Sequence, residues 1–287
     1  MKKKKFEFNK ETEHFCIDPA HLAEGLEAAN GKYSAISVEP LDLRTKNLAF
    51  DLAPLVRFPR IKRLFLHRDL VVKRDQFAVL EQLTALEELS TKEYGPLDYG
   101  NFVELRRLIL TAGTELHALD KVRSLELVYL GLWNAEALPK SIGAVSATAV
   151  RISASRKLAA LGPLCELSHL EELTLQDLPA LRVGKEINKL TSLKALHVEK
   201  CGWTDFSVLR SDSLLRLFAS KVESLHFIKQ LKHLDDLFFW ECVDGDLSPV
   251  LHHPTLTKIR FFPAKQHYSH KLPELQAALV ARNAGRA

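Results

Sequence analysis

Apolar residues recur along the chain in a short unit of the form L-x-x-L-x-L. The clearest copies are Leu193, Leu196 and Val198 in one unit, and Leu234, Leu237 and Phe239 in another. In an extended segment successive side chains point to opposite faces, so the second and third apolar positions of a unit share one face. The pattern therefore predicts many short strands that each bury alternate residues.

The same frame fits further units along the chain. They are Tyr33/Ile36/Val38, Ile61/Leu64/Leu66, Leu86/Leu89/Thr91, Leu105/Leu108/Leu110, Leu127/Leu130/Leu132, Ala147/Val150/Ile152, Leu170/Leu173/Leu175, Leu214/Leu217/Ala219 and Leu256/Ile259/Phe261. This gives about eleven units, mostly spaced by roughly 19–25 residues. Around residues 119–132 a frame of Val122/Leu125/Leu127 fits nearly as well, and the later frame is preferred because it keeps the period even.

A second rhythm, with an apolar residue at every third position, lies between the strands. It runs through Phe77, Leu80, Leu83 and Leu86, and again through Leu161, Leu164, Leu167 and Leu170. An i, i+3 spacing suits a short 3₁₀ or helical turn that packs one stripe of side chains inward. Each unit then consists of a strand and a return turn, and stacked neighbours bury the face that a single unit would expose.

These residues resemble the leucine-rich-repeat family over residues 33–262. Cys201 and Cys242 fall on the family's Asn/Cys position, three residues after the last apolar residue of their units, whereas Asn134 lies one place early. The resemblance implies an α/β solenoid: a curved right-handed superhelix with a parallel β-sheet on the concave face and short helical or 3₁₀ turns on the convex face. The irregular short repeats look like those of bacterial stand-alone members, and the family commonly serves in protein recognition.

The ends of a repeat array need polar or covered outer faces. Residues 1–32 are predicted to form an N-terminal cap in which residues 19–29 are helical. Residues 263–287 are predicted to form a C-terminal cap helix, with Pro273 in its first turn. No Gly/Ser/Pro-rich linker separates the caps from the repeats at 33–262, so one structural domain is predicted.

Composition and charge narrow the function classes. An apolar content of 46% with 26% charged residues is typical of a folded protein. The net charge of +4 is spread along the chain apart from lysines at residues 2–5, which argues against a nucleic-acid partner. No apolar run is long enough for a membrane span and none follows the early lysines as in a signal peptide, so a cytoplasmic protein with no membrane partner is predicted. The four scattered cysteines agree with a reducing compartment.

Residues between and just after the inward positions should point outward on the concave sheet. Most of the predicted outward pairs are polar or mixed, but the last ones are aromatic. The predicted partner-binding residues are Phe218, Phe238, Trp240 and Phe262 side by side, with Arg216 and Arg260 at the rim and Trp133 on an earlier strand. Aromatic side chains with arginine nearby are enriched at binding hot spots.

Three interpretations of this aromatic group remain open at the level of sequence. It is a partner-binding patch, it is covered by the C-terminal segment folding back over the sheet, or the frame is off by one residue and the rings are core.

No catalytic constellation or cofactor motif is found. His267 and His270 have i, i+3 spacing but no accompanying cysteine pair or HExxH motif, so no metal site is predicted. Cys201 and Cys242 suit structural positions better than nucleophilic ones. The only titratable set on neighbouring strands is His197, Glu199 and Glu172, and an open sheet gives it no pocket that excludes water.

The sequence therefore predicts a non-enzymatic module that binds a protein partner on its concave face, without a cofactor or a small-molecule substrate. By analogy of architecture, it is similar to bacterial inhibitory proteins, including toxin-neutralising immunity proteins. The alternative is a regulatory or targeting subunit of a partner enzyme.

Overall fold

The structure of the protein is a computed structural model that describes residues 4–41, 51–92, 97–111 and 116–284. The chain folds into two compact units. The first comprises Met1–Leu132 and Pro139–Ala147, and the second comprises Trp133–Leu138 and Thr148–Ala287. Each unit contains short strands that alternate with short return turns.

The strands of the first unit follow one another in chain order across its sheet. They are β1 (Phe6–Asn9), β2 (His14–Ile17), β3 (Ala35–Val38), β4 (Arg63–Leu66), β5 (Glu88–Lys92), β6 (Arg107–Thr111) and β7 (Leu127–Gly131). β1 and β2 form an antiparallel hairpin, and β2 to β7 are parallel. The register aligns Ile36, Leu64, Leu89 and Leu108 in one buried row.

The strands of the second unit are all parallel and also follow chain order. They are β8 (Ala149–Ser153), β9 (Glu172–Gln176), β10 (Ala195–Glu199), β11 (Arg216–Val222), β12 (Asp236–Cys242) and β13 (Lys258–Phe261). The first buried row on this sheet is Val150, Leu173, Leu196, Leu217, Leu237 and Ile259. These residues occupy the middle position of the predicted units, and all of them are buried, as the pattern predicts.

Most return segments are 3₁₀ turns. They are Ala53–Arg57, Arg74–Gln82, Tyr99–Asn101, Leu119–Lys121 and Lys140–Ala144 in the first unit, and Gly162–Glu166, Lys185–Lys189 and His226–Gln230 in the second. A short helix, α2 (Ser248–His252), replaces the turn before β13. Leu161, Leu164, Leu167 and Leu170 are all buried, because side chains at i and i+3 eclipse one another in a 3₁₀ turn. The predicted fold class of parallel strands with short 3₁₀ or helical turns is confirmed in each unit.

A helix lies near each end of the chain, where the sequence pattern indicates one. In the first unit, a 3₁₀ turn at Pro19–His21 leads into α1 (Leu22–Ala29), and Asp18 caps the turn by accepting a hydrogen bond from the Ala20 amide at 3.1 Å. Gly25 of α1 faces Ile17 of β2 so closely that a Cβ atom would overlap it. In the second unit, α3 (Leu272–Ala284) buries Leu275 and Leu279.

The β1–β2 hairpin has no counterpart in the sequence-based prediction. Its strands are four residues long and follow no repeat, so periodicity could not reveal them. The domain boundaries at residues 32 and 262, and the single domain, stay predictions.

All predicted repeat frames have their second and third positions buried except one. The frame Leu127/Leu130/Leu132 is wrong, and so is its alternative Val122/Leu125/Leu127: the buried set is Leu125, Val128 and Leu130. Leu132 is 47% exposed and has a φ of 54°. The chain leaves β7 at this residue through a left-handed turn, as it also does at Ala154, Asp177 and Lys200 after strands of the second unit.

The corrected frame changes the position of Trp133. This side chain was expected on the outward face, but it is 2% exposed and lies in the core of the second unit. It stands three residues after Leu130, at the same repeat position as Ser155, Cys201 and Cys242. We call this row of residues the internal ladder. Trp133 therefore belongs to the internal ladder, and its prediction as a partner-binding surface residue is wrong.

Within the described ranges, none of the helices combines the length and apolar character needed to cross a membrane.

Candidate functional site

The candidate site lies on the open face of the second unit's sheet, opposite the buried rows. The parallel register places one open-face residue of each strand in a single row: Arg151, Thr174, His197, Phe218, Phe238 and Arg260. Two of the strands that carry the row, β11 and β12, are each seven residues long, so they present more side chains than their neighbours.

Four rings of this face form what we call the aromatic cluster: His197, Phe218, Phe238 and Trp240. The ring centroid of Phe218 lies 4.3 Å from that of His197 and 4.8 Å from that of Phe238. Trp240 meets Phe218 edge-on at 5.4 Å. Adjacent strands lie about 4.8 Å apart, so direct and diagonal neighbours bring these rings into contact.

The rings are only partly covered, because the strands bury the alternate residues instead. Leu217, Ala219, Leu237 and Phe239 are in the core, while Phe218, Phe238 and Trp240 are half-buried on the other face. The frame is therefore correct in this region, and the interpretation of these rings as core is wrong.

The segment after β13 packs toward the core side of the sheet. Tyr268 lies edge-on to Phe239 and Phe261, both buried, at centroid distances of 6.3 Å and 5.3 Å. Its hydroxyl accepts a hydrogen bond from the Cys242 amide at 3.1 Å. These contacts place the ring of Tyr268 against the face opposite the aromatic cluster, which does not favour the interpretation of the segment as its cover.

Two arginines border the aromatic cluster, each beside a carboxylate. Arg260 Nη2 donates to Asp236 Oδ2 at 2.7 Å, and its Cζ lies 5.2 Å from the ring centroid of Phe238. Arg216 Nη2 lies 3.4 Å from Glu172 Oε1, reaching it across the small side chain of Ala195. Between these groups lies an open groove of about 180 Å³ that Phe218 and Phe238 also line.

Phe262 lies outside this arrangement. It follows the last residue of β13 and is 75% exposed. Within the described part of the chain, the ring contacts of the aromatic cluster do not include it. The structure thus brings together Phe218, Phe238, Trp240, Arg216 and Arg260 of the predicted set, and leaves Phe262 apart.

The predicted binding set omits several open-face residues, among them His197, Asp236 and Tyr129. His197 and Asp236 extend the group around Phe218 and Phe238, as the parallel register shows. In the first unit, Tyr129 is paired with Ile109 on the open face. The wrong frame at β7 concealed Tyr129, although a signal existed: Ser124 precedes Leu125 just as Ser146 precedes Ala147 and Thr255 precedes Leu256.

The titratable groups beside the aromatic cluster are held in local contacts. His197 Nε2 lies 3.3 Å from Glu199 Oε2, which also accepts from Gln176 Nε2 at 3.2 Å. Burial raises the pKa of the Cys201 thiol to about 11, so the thiol stays protonated at neutral pH. The groups around His197 therefore offer no ready nucleophile.

The other candidate chemical residues have structural partners. Burial raises the pKa of the Cys242 thiol to about 12. His267 Nε2 contacts the Cys242 carbonyl oxygen at 3.1 Å, and His270 Nδ1 contacts Ser269 Oγ at 2.8 Å. No cluster of His, Cys, Asp and Glu side chains suited to a metal ion occurs in the described residues.

The chain is similar to known proteins in its three-dimensional structure. No protein-family model matches the sequence, and no curated protein matches it. A crystal structure of an internalin from Listeria monocytogenes aligns with a TM-score of 0.51 at 12% identity, over 88% of this chain and 87% of the internalin. The functional domain of the protein InlJ from the same organism aligns with a TM-score of 0.50 at 12% identity, over 80% of this chain and 56% of that one.

At such identities the similarity shows the fold alone. It agrees with the parallel strands, the 3₁₀ return turns and the buried rows of each unit. The fold of each unit is that of leucine-rich-repeat proteins.

Proposed function

We propose that this protein is a non-enzymatic interaction module that binds a protein partner on the open face of the second unit's sheet. The aromatic cluster carries the proposal: its rings contact one another on a face whose opposite side is the core. Clusters of partly exposed aromatic rings beside arginine are typical of interface hot spots.

Energetics favour a protein contact at this place. Each Phe or Trp can bury on the order of 150–250 Å² against a partner, at a cost of only two side-chain torsions. Here mutual packing already restricts Phe218, Phe238 and Trp240, so less side-chain entropy is lost on association.

The shape of the groove argues against a small-molecule substrate. Its volume of about 180 Å³ lies below the range of roughly 300–1,000 Å³ that is usual for ligand pockets. The groove is also open, so it does not exclude water from a reaction. The proposal therefore includes no cofactor and no small-molecule substrate. It also names neither nucleic acid nor a membrane as the partner, because the basic residues are spread along the chain and no apolar run is long enough to span a membrane.

The proposal is tested by affinity capture from lysate of the source cells, with identification of bound proteins by mass spectrometry. The wild type is compared with a Phe238→Glu/Trp240→Glu variant. Phe65→Glu serves as the matched control, because Phe65 is a half-buried aromatic residue on the open face of the first unit. Circular dichroism first establishes that all three proteins are folded.

We expect the wild type and the Phe65→Glu variant to capture a protein that the Phe238→Glu/Trp240→Glu variant does not capture. Its direct affinity, measured by calorimetry with purified components, should fall at least about 30-fold in the double variant, as expected when hot-spot residues are removed. Equal retention by all three proteins would place the binding site elsewhere.

The consequence of binding is a separate question, which the captured partner answers. An inhibitory, immunity-type role requires that the partner lose its activity when this protein saturates it. A regulatory or targeting role requires that the partner remain active in the complex. We favour the inhibitory role on the architectural analogy, and an assay of the partner's activity with and without this protein distinguishes the two.

We also propose a cytoplasmic location. All four cysteines are free thiols, which is compatible with a reducing compartment.

A further inference from the structure

Positive and negative groups around the aromatic cluster differ in how far they reach into solvent. The carboxylates of Asp236 and Glu199 lie low on the sheet, with side chains only 17% and 16% exposed. The guanidinium-bearing side chains of Arg216 and Arg260 are 62% and 58% exposed. A partner would therefore meet the cations first.

The difference in exposure between the carboxylates and the arginines has a local cause. Asp236 is short and accepts from Arg260 Nη2 at 2.7 Å, while Glu199 accepts from Gln176 Nε2 at 3.2 Å. Each carboxylate thus has one oxygen hydrogen-bonded near the sheet surface, and among the described residues Asp236 Oδ1 is buried without a hydrogen-bond partner. The longer arginine stems lift their charges above the sheet.

The open-face rows that carry the aromatic cluster continue this bias at their edges. Arg151 of β8 and Lys258 of β13 are both exposed. Glu172 is the one carboxylate of comparable exposure in these rows, at 50%. The accessible charge around Phe218 and Phe238 is therefore positive, although the formal charges of the same rows are nearly balanced.

From this distribution we infer that the partner presents an acidic surface, with carboxylates surrounding an apolar side chain that packs on Phe218 and Phe238. The inference rests on the proposed function and specifies the chemistry of the partner. Complementary charge at the rim of an interface favours the correct partner and accelerates association, while the apolar centre supplies most of the affinity.

The test uses a random peptide library displayed on phage as its probe. Selection against the immobilised wild type is run beside selection against the folded Phe238→Glu/Trp240→Glu variant, and the enriched sequences are compared. We expect peptides enriched only on the wild type to combine Asp and Glu with an aromatic or large aliphatic residue.

The outcomes separate the two proposals. Wild-type-specific peptides that are basic or uncharged would overturn the acidic partner and leave the binding face in place. Identical enrichment on both proteins, or none on either, would contradict both the binding face and the partner chemistry that depends on it.

Charge variants give an independent measurement with the enriched peptides. Arg216→Gln/Lys258→Gln removes two exposed cations without touching the rings or the Arg260–Asp236 pair. We expect its affinity to fall about tenfold and its dependence on salt concentration to weaken. Lys189→Gln is the matched control, because Lys189 is exposed in the Lys185–Lys189 turn away from the strands, and it should bind as the wild type does. Equal affinities for all three proteins would overturn the inference.

Discussion

The backbone amide of Trp133 donates a hydrogen bond to Ser155 Oγ at 2.9 Å, which links two successive positions of the internal ladder in the second unit. Both side chains are buried, and Ser155 Oγ in turn donates to the Ser153 carbonyl oxygen at 2.9 Å. The Trp133 indole Nε1 donates to the Ala137 carbonyl oxygen at 3.0 Å. A position that Ser155, Cys201 and Cys242 occupy in later repeats thus holds a tryptophan whose indole nitrogen is hydrogen-bonded.

Truncation to alanine should cost much more stability at Trp133 than at Phe262. Trp133→Ala leaves a large cavity and is expected to lower the free energy of unfolding by about 3–5 kcal/mol. Phe262→Ala removes a side chain that is 75% exposed, and the expected change is within about 0.5 kcal/mol. Urea denaturation of both variants measures the difference, and similar losses in the two would contradict the burial of the indole.

The buried imidazole of His253 should make stability depend on pH. Its Nδ1 accepts from the Leu256 amide at 3.2 Å, and its Nε2 donates toward the carbonyl oxygens of Ile228 and Leu231 at 3.0 Å each. This arrangement uses the neutral ring, and burial lowers the pKa of His253 below its usual value of 6.5.

The unfolded chain therefore binds this proton more readily than the folded chain does. The stabilisation is complete above pH 6.5 and is lost as the pH falls toward the lowered pKa, by up to about 1.4 kcal/mol per pH unit. His253→Gln should be less stable near neutrality but should lose less stability on acidification. Urea unfolding of both proteins on either side of the transition tests this, and parallel pH profiles would exclude His253 as the titrating group.

Arg282 should anchor α3 to the second unit. Its Nη1 donates to the carbonyl oxygens of Leu251, at 3.4 Å, and His253, and its Nη2 donates to that of Leu256. Hydrogen bonds to charged groups contribute about 1.5–3 kcal/mol, so Arg282→Ala should destabilise the protein by at least that much. Arg210→Ala, at an exposed arginine, is the control and should cost less than about 1 kcal/mol. Thermal melts of the two variants provide the comparison.

The hydroxyl of Ser146 should stabilise the first unit by linking adjacent repeats. It lies 3.0 Å from the carbonyl oxygens of both Val122 and Leu125 and can donate to either. Ser146→Ala leaves these acceptors without that donor, and the expected loss is about 1 kcal/mol. Ser207→Ala, at an exposed serine, should change stability by less than about 0.5 kcal/mol. Equal unfolding midpoints for Ser146→Ala and the wild type would contradict the link.

The cysteines should be unreactive in the folded protein. Burial raises the pKa of Cys16, Cys165 and Cys242 to about 12 and that of Cys201 to about 11. Since the thiolate is the reactive species, a thiol reagent at neutral pH should label the folded chain slowly. Once urea unfolds the chain, the reagent should label all four thiols. Fast labelling of one cysteine in the folded state would show that its thiol is accessible and ionised.

The repeat pattern by itself determined which residues form most of the core. Apolar residues at alternate positions of a strand share one face, and packing that face against the core removes them all from water. The buried positions at Leu196, Leu217 and Leu237 therefore follow from periodicity. The same alternation sends Phe218 and Phe238 to the opposite face. The helical regions before residue 30 and after residue 271 were also readable from composition and from Pro273.

Tertiary structure decided what periodicity leaves ambiguous. Two frames that differ by two residues keep the same alternation, so periodicity could not tell where β7 ends. The left-handed turn at Leu132 ends the strand and places Trp133 in the core. The register between strands placed His197 and Asp236 beside Phe218 and Phe238. The difference in exposure between the arginines and the carboxylates also depends on these tertiary contacts. A local pattern specifies which face a side chain takes, whereas its neighbours and its reach into solvent depend on how distant segments pack.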